Sequence, residues 1–261
     1  MGGSEAGASF GEEGRRLSYG SYLEVSQLLQ LQTTLTRAHD ELLFIVTHQA
    51  YELWFKLLLH ELEATRDRID ADDLFTARHH LRRITTVALL LVHQIDVLET
   101  MSPQDFLEFR AELAPASGFQ SVQFREIEFL CGLKDPAYLA RLETTAAERA
   151  RLQRRLREPS LRDSHRALLE RRGSPSLLDV FHDRAAHGDL FDLSEGLLDL
   201  DEAIGLWRAR HLQMVERQIG AKHGTGGSTG AGYLRTTLDK RFFPELWDVR
   251  SGLTTPGAGG H

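Results

Sequence analysis

The sequence predicts an all-α fold, a bundle of long helices with short helices packed at its edge. Leu, Ala, Glu, Arg and Gln dominate, and alternating runs of β-branched residues are missing. Two of the predicted helices also run longer than most globular helices, as bundle helices do. In chain order, the first helical stretch is 23–30, an amphipathic start preceded by Tyr19 and Tyr22. The two longest follow, at 40–69 and 71–100. Ser102 before Pro103 gives the N-cap and first-turn pairing, so a short helix begins there and runs to 113. The Arg-rich stretch 133–188 is interrupted by Pro136, Pro159, Gly173 and Pro175, which predicts short peripheral helices. A last long helix covers 194–219. Residues 1–16 and 251–261 are rich in Gly and small residues and are expected to be flexible ends, leaving 17–250 as one domain.

A chain of 261 residues buries a sizeable core, and no shift in composition marks a second domain. With 41% apolar and 26% charged residues, disordered and fibrous classes are excluded. The net charge of −7 argues against wholesale nucleic-acid binding. The longest uncharged apolar run, 84–95, is shorter than the ~18 residues of a membrane span, so no membrane partner is expected. Glu5, Glu12 and Glu13 sit where a secretory signal would carry an apolar core, and the expected location is the cytoplasm. The single cysteine, Cys131, forms no internal disulfide and excludes Cys-based zinc frameworks.

Two histidines stand on apolar helix faces. Helical spacing puts Phe44, His48, Tyr51 and Phe55 in one stripe, and Ile204, Trp207, His211, Met214 and Val215 in another. Such a histidine is most often a core residue satisfied by a backbone or carboxylate group. The sharper alternative is a polar handle in a pocket at His48 and a ligand to haem iron at His211, since haem needs one neutral imidazole in a dry surround. No His-Glu-x-x-His or His-x-x-x-His pair lies near His211, so a zinc site lacks its usual spacing. Residues 220–232 hold six glycines, enough for a surface linker or for a backbone cradle that binds an anion or zwitterion. Arg110 shares a helix face with Phe106 and Leu113, where it snorkels, meets an internal acid or awaits a ligand carboxylate.

Together these segments resemble the tryptophan 2,3-dioxygenase family over roughly 17–250, in collinear order. The pieces that carry the resemblance are Tyr19-Gly-Ser-Tyr-Leu23, His39-Asp-Glu-Leu-Leu-Phe44 running to His48-Gln-Ala-Tyr-Glu-Leu-Trp54, Leu98-Glu-Thr-Met101, Phe109-Arg110, Pro115-Ala-Ser-Gly-Phe-Gln-Ser121, Leu206-Trp-Arg-Ala-Arg-His211, Gly224-Thr-Gly-Gly-Ser228 and Phe243-Pro-Glu-Leu246.

The resemblance implies an enzyme that uses haem b, one iron per subunit, and O2 to open the indole ring of L-tryptophan. It makes His211 the iron ligand and His48 the distal residue that meets the indole N–H. Arg110 pairs with the substrate carboxylate, Thr225 contacts the carboxylate and ammonium, and Phe44, Phe106 and Leu113 enclose the ring. Ser117 falls near the distal side of the haem, and Gly224 in the cradle beside it. Tyr19, Tyr22 and Leu23 are implied to reach a neighbouring subunit's site within a homotetramer, a dimer of dimers. The chain departs from some bacterial relatives in having Phe106 and Phe124 where they carry tyrosine, and in a shorter 132–194 region. Two other readings stand beside this one: a divergent relative that adds oxygen to a substituted indole or aromatic amino acid, and a non-catalytic haem sensor. Arg110, Thr225 and both histidines speak against the sensor, which has no use for a zwitterion clamp.

Overall fold

Apolar spacing makes one surface of each long helix a seam. The computed structural model describes residues 17–173, 175–226 and 229–253, and among them every regular element is a helix. α1 (Tyr19–Tyr22) and α2 (Val25–Leu28) precede the long pair α3 (Glu41–Asp70) and α4 (Leu74–Leu98). On α4 the buried residues Ala77, Leu81, Ile84, Ala88, Leu91 and Ile95 alternate three and four apart, the spacing that keeps one stripe against neighbouring helices. That stripe packs between α3 and α11 (Gly188–Ile219), which contribute Leu58, Leu62, Leu193, Leu197 and Ile204 among others to the same core. Each such side chain taken out of water stabilises the fold by about 1.5–3 kcal/mol.

The short helices follow local signals. α5 (Pro103–Arg110) opens with a capping box: Asp105 N–H donates to Ser102 Oγ at 3.2 Å, and Ser102 N–H to Asp105 Oδ2 at 3.1 Å. Residues 111–113 tighten into a 3₁₀ turn before Pro115, which cannot continue a helix. α6 (Val122–Cys131) ends at Gly132, whose φ of 122° suits glycine. α7 (Tyr138–Arg141), α8 (Ala146–Arg157), α9 (Leu161–Arg171) and α10 (Leu177–His182) are the expected peripheral helices, and α12 (Ala231–Arg235) and α13 (Pro244–Gly252) close the chain. Arg155 docks α8 on its neighbours: buried, it meets Glu63, Glu126 and Glu158.

Three expectations need correction. The helix read at 23–30 is instead the single turn α2, separated from the turn α1 before it by Glu24 with φ 51°. Residues 17–29 have no buried side chain to hold a longer helix together. The last long helix starts at Gly188, six residues earlier than predicted, because Leu190 and Leu193 anchor an extra turn in the core. Finally, the C-terminal end expected at 251–261 begins inside α13, which runs through Gly252; the rest of that end and 1–16 lie outside the described residues.

α3 is long and apolar enough, by length and composition alone, to cross a membrane. It is instead a core helix, packed against α4, α6 and α9, with Glu41, Thr47, Glu61 and Thr65 buried on it. At its start Glu41 accepts from the N–H groups of Leu35 and Thr36 and from Thr36 Oγ1, and these bonds hold its carboxyl below the usual range although burial opposes them.

A buried histidine ties α9 to α11. Ser194 Oγ donates to the Leu190 carbonyl at 2.8 Å, so His165 Nε2 carries the hydrogen it gives to Ser194 Oγ at 3.0 Å. Burial pushes His165 down to about 4. The unfolded chain takes up this proton below about pH 6.5 while the folded chain resists until about pH 4, so stability falls as pH falls through that window. Urea unfolding at pH 7 and pH 5 should differ by about 2 kcal/mol from this group. His165→Gln should remove most of that difference, and an unaltered pH dependence in the variant refutes the assignment.

Candidate active site

Where α3, α5, α6, α11 and the glycine-rich segment converge they enclose a cavity of about 550 Å³, within the range of cofactor and ligand sites. Both apolar stripes seen in the sequence face it. α3 contributes Phe44, His48, Tyr51 and Phe55, and α11 contributes Trp207, His211, Met214 and Val215.

His211 lies parallel to Trp207, with centroids 5.5 Å apart and planes at 2°. Its imidazole has no hydrogen-bond partner among the described residues. Burial, with a smaller repulsion from His48, pushes it down to about 4, so at neutral pH it is an uncharged ring with a free lone pair.

His48 is constrained differently. Its Nδ1 lies 2.7 Å from the Phe44 carbonyl, which only accepts, so Nδ1 carries the hydrogen and Nε2 is left as an acceptor. Burial lowers its pKa, against the opposing influence of that hydrogen bond and of Glu52. Phe44 packs on it at 4.0 Å between centroids and meets Phe106 at 5.8 Å, so α3 and α5 form one aromatic wall.

Arg110 and Leu113 line the cavity beside that wall. The sequence leaves the guanidinium to solvent, an internal acid or a ligand; here it donates to the main-chain carbonyl of His223. Thr225 Oγ1 donates to the Ala116 carbonyl at 2.5 Å. The glycine-rich segment is therefore tied down at both residues and is not a free linker. Its far end turns at Gly230, with φ 60°, where a Cβ would stand 2.6 Å from the Lys222 carbonyl.

One end of the cavity carries charges that sequence reading missed. Buried Glu128 on α6 accepts from Arg208 Nη2 at 2.9 Å and from Arg125 Nη1, and Arg208 also donates to the Lys240 carbonyl at 2.7 Å. Two guanidiniums against one carboxylate leave this end positive. Next to them the Tyr233 hydroxyl bonds that of Tyr138 at 2.9 Å and is pushed up to about 12, chiefly by burial. The available signal was Arg125 and Glu128 standing three apart, on one face of a helix.

Nine of the twelve residues singled out in the sequence thus line one cavity: Phe44, His48, Phe106, Arg110, Leu113, Ser117, His211, Gly224 and Thr225. Tyr19, Tyr22 and Leu23 do not; they are 80%, 70% and 45% exposed. The chain after them is fastened, since Gln49 on α3 bonds Gln32 at 2.6 Å and the Leu31 carbonyl at 3.0 Å.

The sequence model of tryptophan 2,3-dioxygenase matches residues 3–176 and 140–253. The chain belongs to that family. A tryptophan 2,3-dioxygenase of Nocardioides sp. is 54% identical over 94% of this chain and 98% of its own. Family members from Herpetosiphon aurantiacus, at 46%, and Myxococcus xanthus, at 43%, also match over more than nine-tenths of each chain. The family is one of oxidoreductases that act as dioxygenases.

Proposed function

We propose that this enzyme is a haem-dependent dioxygenase that cleaves the indole C2–C3 bond of L-tryptophan with O2. The product is N-formylkynurenine, and the reaction is the first step of tryptophan degradation through kynurenine. The observation that carries the reading is one largely apolar cavity with an uncharged imidazole, without a hydrogen-bond partner among the described residues, on one wall and an acceptor imidazole beside an arginine on the other.

The residues fit a haem b, one iron per subunit. No group of three or more His, Cys, Asp or Glu among the described residues could cage a bare ion, so a metal here depends on a macrocycle for most of its ligands. His211 would hold the iron, Ser117 and Gly224 would lie against the ring, and the apolar walls would keep the site dry. When bound, the haem would supply the O2 chemistry that no side chain here provides. Both oxygen atoms enter the product, so turnover needs no net reductant.

The side chains bind and orient the substrate. His48 Nε2, an acceptor because Nδ1 is committed to Phe44, takes the indole N–H. Phe44, Phe106 and Leu113 sandwich the ring. Arg110 pairs with the carboxylate in a charge-assisted bond, and Thr225 completes the contact with carboxylate and ammonium. With Phe106 and Phe124 in place of tyrosine, this clamp lacks a hydroxyl that some bacterial relatives carry.

The assembly belongs to the same proposal: a homotetramer, a dimer of dimers, in which Tyr19, Tyr22 and Leu23 complete a neighbour's site. Their exposure within one chain supports it, as does the fastening of 31–36 to α3, which leaves the stretch before it projecting. The negative net charge and the core role of α3 support a cytoplasmic enzyme without nucleic-acid or membrane partners. The decisive experiment is turnover under isotopically labelled O2. Two labelled atoms in the product are expected; a gain of one makes the enzyme a monooxygenase and overturns the reading.

A further inference from the structure

The glycine-rich segment is shut against the 115–117 turn by an approach that only glycine permits. A Cβ built on Gly226 would lie 2.5 Å from Ser117 Cβ, 3.2 Å from its Oγ and 3.3 Å from the Pro115 carbonyl. Carbon atoms pack at about 3.5–4.0 Å, so a methyl group at 226 must separate the two segments by about 1 Å. Ser117 Cβ is bonded to the main chain and cannot swing aside as a side-chain tip would. The φ of Gly226 is not in the left-handed region, so alanine is barred there by its neighbour and not by torsion.

The contact sits among the groups that face the cavity. Thr225, one residue before, is bonded to Ala116, one residue before Ser117, and Arg110 holds the His223 carbonyl. Moving the segment outward by about 1 Å stretches a 2.5 Å hydrogen bond to the limit of bonding distance and draws Gly224 and Thr225 away from the cavity they line. We infer that Gly226 is a positioning residue for the amino-acid end of the substrate, acting through its steric fit to Ser117. This rests on the reading of Arg110 and Thr225 as partners of the zwitterion.

The test is a double-variant cycle in the haem-loaded enzyme, with L-tryptophan and tryptamine titrated by calorimetry. Displacements of about 1 Å in positioning groups cost up to about 100-fold. Gly226→Ala is expected to weaken L-tryptophan at least about 10-fold and tryptamine, which keeps the ammonium contact of Thr225 but has no carboxylate, by a clearly smaller factor. Ser117→Gly removes the atom that is struck, so adding Gly226→Ala to Ser117→Gly should cost less than about 3-fold relative to Ser117→Gly alone. A Gly226→Ala chain that fails to fold, beside a folded double variant, supports the same collision. Unchanged L-tryptophan affinity in Gly226→Ala overturns the inference, as does an equal penalty in the Ser117→Gly background or an equal loss for tryptamine. Wild-type enzyme that binds no L-tryptophan overturns instead the substrate reading on which this rests.

Discussion

His211→Ala is expected to yield a folded protein that retains no haem, seen as loss of the Soret band relative to protein absorbance, and no dioxygenase activity. The size of the effect follows from the lack of a substitute. An iron-binding imidazole must be neutral with a free nitrogen, and His211 meets both conditions because burial pushes it down to about 4 and nothing else in the described chain bonds its ring. His48 also keeps a free lone pair, at Nε2, but it stands on the opposite wall, where the proposed complex commits that nitrogen to the indole N–H. Haem held only by apolar contact and charge would dissociate on dilution. The paired variant His48→Ala should keep its Soret band and show weakened turnover, because that residue orients substrate and holds no metal. An unaltered band and unaltered activity in His211→Ala refute the assignment. Haem loss in His48→Ala alone means the two histidines have exchanged roles.

The long helices were readable because their apolar residues recur at three and four, a pattern that needs no knowledge of the partner. The Ser102-Pro103 start was readable because its capping box is made entirely of residues three apart. The break at Glu24 was not, since the stretch around it has an amphipathic pattern and no buried face to enforce it. At the site, spacing identified which residues share a face but not what the face meets. Whether His48 and His211 are core or pocket depends on two helices 163 positions apart closing on one space, which neither stripe contains. The same limit hid the Arg125–Glu128–Arg208 cluster, whose members come from α6 and α11. It also left the partner of Arg110 open, because the His223 carbonyl lies 113 residues away along the chain.

That last contact shapes what Arg110→Ala should do. A guanidinium in a largely apolar wall is costly unless something accepts from it, and here the His223 carbonyl does. A neutral carbonyl is a weaker partner than a carboxylate, since charge-assisted bonds are roughly twice as strong. Substrate can therefore take over the guanidinium at a net gain. Truncating one partner of a desolvated charge pair costs ~2–5 kcal/mol, and because Arg110 is only half-buried the lower end applies. The apparent L-tryptophan constant should accordingly rise by about 30-fold or more. Tryptamine separates this from a structural effect: it keeps the indole and the amine but has nothing for Arg110 to grip, so its binding should hardly change. The substitution also frees the His223 carbonyl and with it part of the glycine-rich segment. If that release were what mattered, both ligands would weaken together, Arg110 would be a fastening for the segment, and recognition of the carboxylate would fall to Thr225.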